Sequence, residues 1–155
     1  MAKKRFGLEF SAIAELAEKY EKLGGDLQEV TTKALEFIPD KVNPDLSKAI
    51  SQHRRTGKTA ASLARDQKVA WQGTVASIAV GFQLSKGGVP SIFLMYGTAR
   101  HAPSNQYGGP YGGSIQTIQD KRLYDAIYGN RTQKAITEEQ QKIFADEIAK
   151  IINGG

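Results

Sequence analysis

One change of period constrains this chain more than any other feature. Through the first third, apolar residues recur at intervals of three and four; from Val69 they alternate with polar or small ones. Ile13, Leu16, Ala17, Tyr20 and Leu23 mark a helical face, with Ser11 placed to cap its start and Gly24-Gly25 to end it. A second helix is expected from Asp26, which with Glu29 resembles a capping box, and carries Leu27, Val30, Ala34, Leu35, Phe37 and Ile38 up to a break at Pro39. Asn43-Pro44 reads as a fresh helix start, and Leu46, Ala49 and Ile50 continue the stripe to His53-Arg54-Arg55. The helical region should therefore run from about 11 to 54 in three pieces, and 58–63 reads as a short turn or helix.

Val69 and Trp71 precede Gln72-Gly73, after which Ala76, Ile78, Val80 and Phe82 alternate with Val75, Ser77, Ala79 and Gly81. This pattern predicts a hairpin or two adjacent strands. The small face of Ser77, Ala79 and Gly81 fits either a thin solvent face or the close approach of another backbone. The apolar run 91–96 is short enough for a strand or for one to two helical turns. The segment 97–115, with Gln106-Tyr107-Gly-Gly-Pro-Tyr111-Gly-Gly at its centre, reads as a long flexible loop suited to binding or assembly. A short helix over 120–128 and a terminal helix opened by Thr137 and Gln140 complete the pattern. The expected fold is a single α+β domain over 1–155, in which N- and C-terminal helices pack on a small antiparallel sheet, with a basic tail at 1–9.

The side-chain inventory narrows the chemistry. There are no cysteines, which excludes disulfides, thiolate metal sites and a cysteine nucleophile. Two histidines, His53 and His101, stand far apart without neighbours at metal-ligand spacing, so neither a metal nor a cofactor is expected. A small hydrolase would have to use His101 with Ser104 or Asp120, and nothing in the pattern singles these out. Gly57-Lys58-Thr59 resembles the end of a phosphate-binding loop, but Gln52 stands where that motif needs its first glycine. Glu9, Glu15 and Glu18 interrupt any leader-like apolar stretch, and the apolar run 75–84 is about half the ~20 residues of a membrane-spanning helix, so no membrane association is expected. The net charge of +5 favours acidic partners. Arg54, Arg55, Lys58 and Arg65 are the candidate contacts to a phosphate backbone, so a sequence-nonspecific nucleic-acid-binding module using 53–65 is one functional reading.

The other reading comes from motif order. A helical N-terminal third closes on Arg55-Thr56-Gly57-Lys58 and the small-residue segment to Leu63; an alternating strand pair ends at Val80-Gly81-Phe82; then follow Phe93-Leu94-Met95-Tyr96-Gly97-Thr98 and a C-terminal helix. Over roughly residues 10 to 150 this succession resembles the tail-completion and head–tail joining (neck) proteins of tailed bacteriophages. The chain departs from that pattern after Gly97-Thr98, where Ala102-Pro103 leads into the Tyr-Gly-Gly segment and then Lys121-Arg122. The resemblance implies a non-enzymatic virion protein, present in the host cytoplasm during assembly. It implies a homo-oligomeric ring, hexameric in the family, that joins connector or stopper proteins to the tail terminator or tube, with DNA passing through the channel. Arg55, Thr56, Gly57, Tyr96, Gly97 and Thr98 are then turn and motif residues, and Tyr107 and Tyr111 are anchors of an assembly loop.

Overall fold

The computed structural model describes residues 3–6, 10–53, 55–99 and 116–154. The elements in order are β1 (Lys3–Phe6), α1 (Phe10–Lys22), α2 (Leu27–Glu36), α3 (Ile38–Ser51), α4 (Lys58–Ala61), β2 (Ala70–Gln72), β3 (Val75–Gly81), α5 (Val89–Tyr96), α6 (Lys121–Tyr128) and α7 (Asn130–Asn153). The α+β expectation holds: helices accompany one small antiparallel sheet of order β1-β3-β2. Lys3 pairs with Gly81 and Phe6 with Ile78 on one side of β3, and Ala70 with Ser77 and Gln72 with Val75 on the other. Beyond β3 the ladder continues, as Leu63 bridges Phe82 and the Ala64 amide donates to the Gly81 carbonyl at 2.9 Å. This pairing fixes the segment after α4 against the sheet.

The buried side chains form two clusters. The larger places Leu35, Ile38, Val42, Leu46 and Ile50 of α2 and α3 against Ile78, Val80 and Phe82 of the sheet, with Met95 of α5 and Leu123 and Ile127 of α6 closing it. The smaller joins α1, α2 and α7 through Ala17, Tyr20, Val30, Ala34, Phe144 and Ile148. Tyr20 and Phe144 meet edge to face at 6.2 Å, an arrangement favoured by the ring quadrupoles. Thus α2 is shared: one face serves the sheet core, the other serves the terminal helices. The principal neighbours of α7 are α1 and α2, while α3 and α2 lie against β3.

Several helix boundaries differ from expectation, for one recurring reason. Ser11 lies inside α1, whose first residue is Phe10. Asn43-Pro44 does not open a helix but sits within α3, because the buried stripe Ile38, Val42, Leu46, Ala49, Ile50 is continuous across it. Packing along that stripe outweighs the backbone hydrogen bond that proline removes. Asn43 instead donates from Nδ2 to the Ala64 carbonyl at 3.0 Å, tying α3 to the chain after α4. Thr137 and Gln140 likewise lie inside α7, which starts at Asn130 directly after Gly129. Thr137 bonds the Gln133 carbonyl one turn back, and buried Gln140 donates to the Ala34 carbonyl of α2 at 3.2 Å. Residues 91–96 resolve as helix.

Asp26 caps α2, accepting from the amides of Gln28 at 2.8 Å and Glu29 at 3.3 Å, a contact of about 1 kcal/mol. Glu29 turns outward to Lys33 at 2.7 Å. Gly24 takes φ +79, as the reversal between α1 and α2 requires. Pro39 occupies the first turn of α3 and marks the break after α2. The expected 97–115 loop lies mostly outside the described residues.

Candidate functional site

The chain segments on either side of residues 100–115 run together. Gly97 has φ +71 and ends α5, and a Cβ there would meet the Gln119 amide nitrogen and the Thr117 carbonyl oxygen at 3.1 Å. Both the conformation and the space require glycine. The next residue, Thr98, forms a two-bond clasp: its amide donates to the Thr117 carbonyl at 2.9 Å, and its Oγ1 accepts from the Thr117 amide at 2.8 Å. The clasp is extended by the Asp120 amide donating to the Leu94 carbonyl at 2.7 Å and by Gln119 Nε2 donating to the Met95 carbonyl at 3.0 Å. Tyr96 packs edge-on against Tyr124, its hydroxyl lies 2.8 Å from that of Tyr128, and Tyr124 and Tyr128 stack at 4.8 Å. Burial, and then the hydrogen bond with Tyr96, raises the Tyr128 phenol above its usual range.

Asp120 is the centre of this region. It caps α6 by accepting from the Arg122 amide at 2.9 Å, and its Oδ2 lies 2.6 Å from His53 Nε2 and 3.1 Å from Arg122 Nη2. Arg122 also donates from Nη1 to Gln52 Oε1. The carboxylate side chain is only 6% exposed. Burial alone would raise its pKa, but the hydrogen bonds from Arg122 and His53 and the Arg122 amide overcome this and hold it at about 2. The end of α3 is thereby fastened to the start of α6. Among the described residues the histidine that meets Asp120 is His53; His101 lies outside them. With both oxygens held by donors and the charge fixed, Asp120 serves as cap and counter-ion; the array is built for fastening.

His53 also lines a hollow of about 370 Å³ with Arg55, Thr56, Gly57, Thr59 and Pro90. Gly57 takes φ +76 and leads into α4, while Thr56 Oγ1 accepts weakly from the Lys58 amide at 3.4 Å. Residues 55–57 bend into α4, and Thr59 Oγ1 donates across to the Gly87 carbonyl at 3.2 Å just before α5. Of the four expected phosphate contacts, Arg55 lines this hollow, Lys58 and Arg65 are exposed outside it, and Arg54 lies outside the described residues, as do Tyr107 and Tyr111.

Two surfaces escaped the sequence reading. On α5, Val89, Phe93 and Tyr96 are each between 41% and 47% exposed, and their spacing of four and three puts them on one helix face. Ile118, just past the clasp, is 81% exposed. The second is a cleft of about 510 Å³ between α3, α6 and the first turn of α7, lined by Lys48, Lys121, Arg122 and Arg131 with Asp45 and Asp125. A neighbouring hollow of about 350 Å³ shares Asp45 and Arg131 with it and adds Lys41. Only their sequence separation hid these cations.

Comparisons with protein-family models, with curated proteins and with solved structures gave no match to this chain. Among the described residues, no helix is long and apolar enough to cross a membrane.

Proposed function

We propose that this chain is a structural virion protein that joins the head connector of a tailed phage to its tail, acting by placement in a ring around the DNA channel rather than by turnover. The observation that carries the reading is the exposed apolar face of α5, Val89, Phe93 and Tyr96, set directly before the Gly97-Thr98 clasp. Large apolar side chains aligned on one short helix mark a protein contact surface. Aromatic residues at such a surface supply area at low entropic cost. The motif residues support the same role structurally: Gly57 and Gly97 both take positive φ, and the turns they make flank α4 and α5, which touch. None of Arg55, Thr56, Gly57, Tyr96, Gly97 or Thr98 is asked to react. A ring of copies needs a heterologous interface that closes on itself, and α5 offers one half of it.

The experiment is a deletion of residues 104–113, a segment outside the described residues whose flanks are held by the clasp, together with F93E on α5. Both variants should fold, and phage carrying either should accumulate filled heads and finished tails that fail to join. Full yields of infectious particles from both variants would refute the reading. The nucleic-acid module based on 53–65 is the alternative, and Arg65→Glu combined with Lys58→Glu should abolish DNA affinity if it is correct.

A further inference from the structure

The charge of this chain is not spread evenly. Between residues 38 and 131, 12 basic residues stand against 5 acidic ones, whereas the helical flanks 10–37 and 132–153 together carry 10 acidic and 6 basic residues. The fold concentrates part of that central excess. Lys48 comes from α3, Lys121 and Arg122 from the start of α6, and Arg131 from the first turn of α7, all lining one cleft. Lys41 extends it through the adjoining hollow, and at the other end Arg122 meets Asp120, whose partner His53 leads to the hollow holding Arg55. Among the described residues Lys41, Lys48, Lys121, Arg131 and Arg55 make no ion pair within 4 Å. Arg122 is held by Asp120.

We infer that this stripe, running from Arg55 past Arg122 and Lys121 to Lys48, Arg131 and Lys41, is a contact surface for the phosphodiester backbone of duplex DNA. The cleft lining contains no large apolar residue; its uncharged members are Ala49, Ala126, Gly129, Asn130 and Thr132. A protein partner would be expected to seat an apolar or aromatic anchor there. Phosphates need only cations in a row, and a cleft that shares Asp45, Arg131 and Thr132 with the adjoining hollow and is linked to the Arg55 hollow through the Arg122–Asp120–His53 contacts suits an extended polyanion better than a point charge. The cleft is lined by charged and small side chains that meet a backbone rather than base edges, so binding is insensitive to sequence. Asp45 and Asp125 line the same cleft and, among the described residues, make no ion pair within 4 Å; they weaken the attraction. The surface differs from the 53–65 segment, with which it shares only His53 and Arg55.

The test is fluorescence anisotropy of the full chain with a labelled 30-base-pair duplex, titrated with salt. If the five unpaired cations each neutralise one phosphate, log K should fall against log salt with a slope of about −4 to −5. K48E/K121E/R131E should raise Kd by at least about tenfold at ~100 mM salt and make the slope shallower by roughly 3. D45N/D125N should tighten binding, and R65E/K68E, outside the cleft, should leave it unchanged. Retained binding by the triple variant, loss in R65E/K68E, or equal binding of the wild type to poly-L-glutamate would each overturn the inference. It rests on the neck reading only for the source of DNA. A chain that binds duplex through the cleft yet is dispensable for joining heads to tails would keep this inference and lose that reading.

Discussion

Replacing Asp120 by asparagine removes one charge from a largely buried ion-pair contact while keeping a side-chain oxygen able to cap α6. Asparagine caps helices about as well as aspartate, so the Arg122 amide keeps its acceptor. The ionic component of the contact to Arg122 is lost, and the short contact to His53 is weakened. A carboxyl held at about 2 instead of 3.8 stores roughly 2 kcal/mol, at about 1.4 kcal/mol per pKa unit. Because the folded-state value is depressed, this stability is fully present above pH ~4 and disappears as pH falls through about 2. D120N should therefore unfold about 2 kcal/mol more easily in urea at pH 7, corresponding to a Tm lower by roughly 4–8 °C for a domain of this size. The gap between wild type and variant should narrow steadily between pH 4 and pH 2. Equal stability at pH 7, or a difference that stays constant down to pH 2, would refute the ion-pair account of the fastening.

Gly97→Val should destabilise by more than the ~1–3 kcal/mol of its unfavourable backbone conformation alone, since a Cβ at 97 also crowds the Gln119 amide and the Thr117 carbonyl; thermal melts of the variant against wild type check it. Phe144→Ala, at the centre of the smaller cluster, should cost about 3–5 kcal/mol in denaturant unfolding. Thr98→Val keeps the shape but removes the acceptor for the Thr117 amide, and should speed amide exchange at Thr117 while leaving the exchange of the α3 amides unchanged.

The change of period at Val69 predicts a hairpin or two adjacent strands, and β2–β3 is the hairpin, with Gly73 at positive φ in its turn, because an alternating pattern leaves little freedom in register. Asp26 and Gly24 were equally legible, since capping and left-handed turns are decided by neighbours in sequence. The failures at Asn43-Pro44 and at Thr137 have one cause. Local capping signals there compete with buried stripes whose value is set by distant partners, β3 for α3 and α2 for α7. The site divides the same way. Gly57 and Gly97 announced their turns, and Asp120 was noticed, but pairing it with His53 across 67 residues needed the fold. The cleft was invisible for the same reason, as Lys48, Lys121 and Arg131 belong to three separate helices.

Deleting the gene and counting particles by electron microscopy tests the central claim most directly. The account predicts DNA-filled heads and finished tails that remain separate, with joining restored when the purified chain is added to the lysate. Normal yields of joined, infectious particles from the deletion would contradict it.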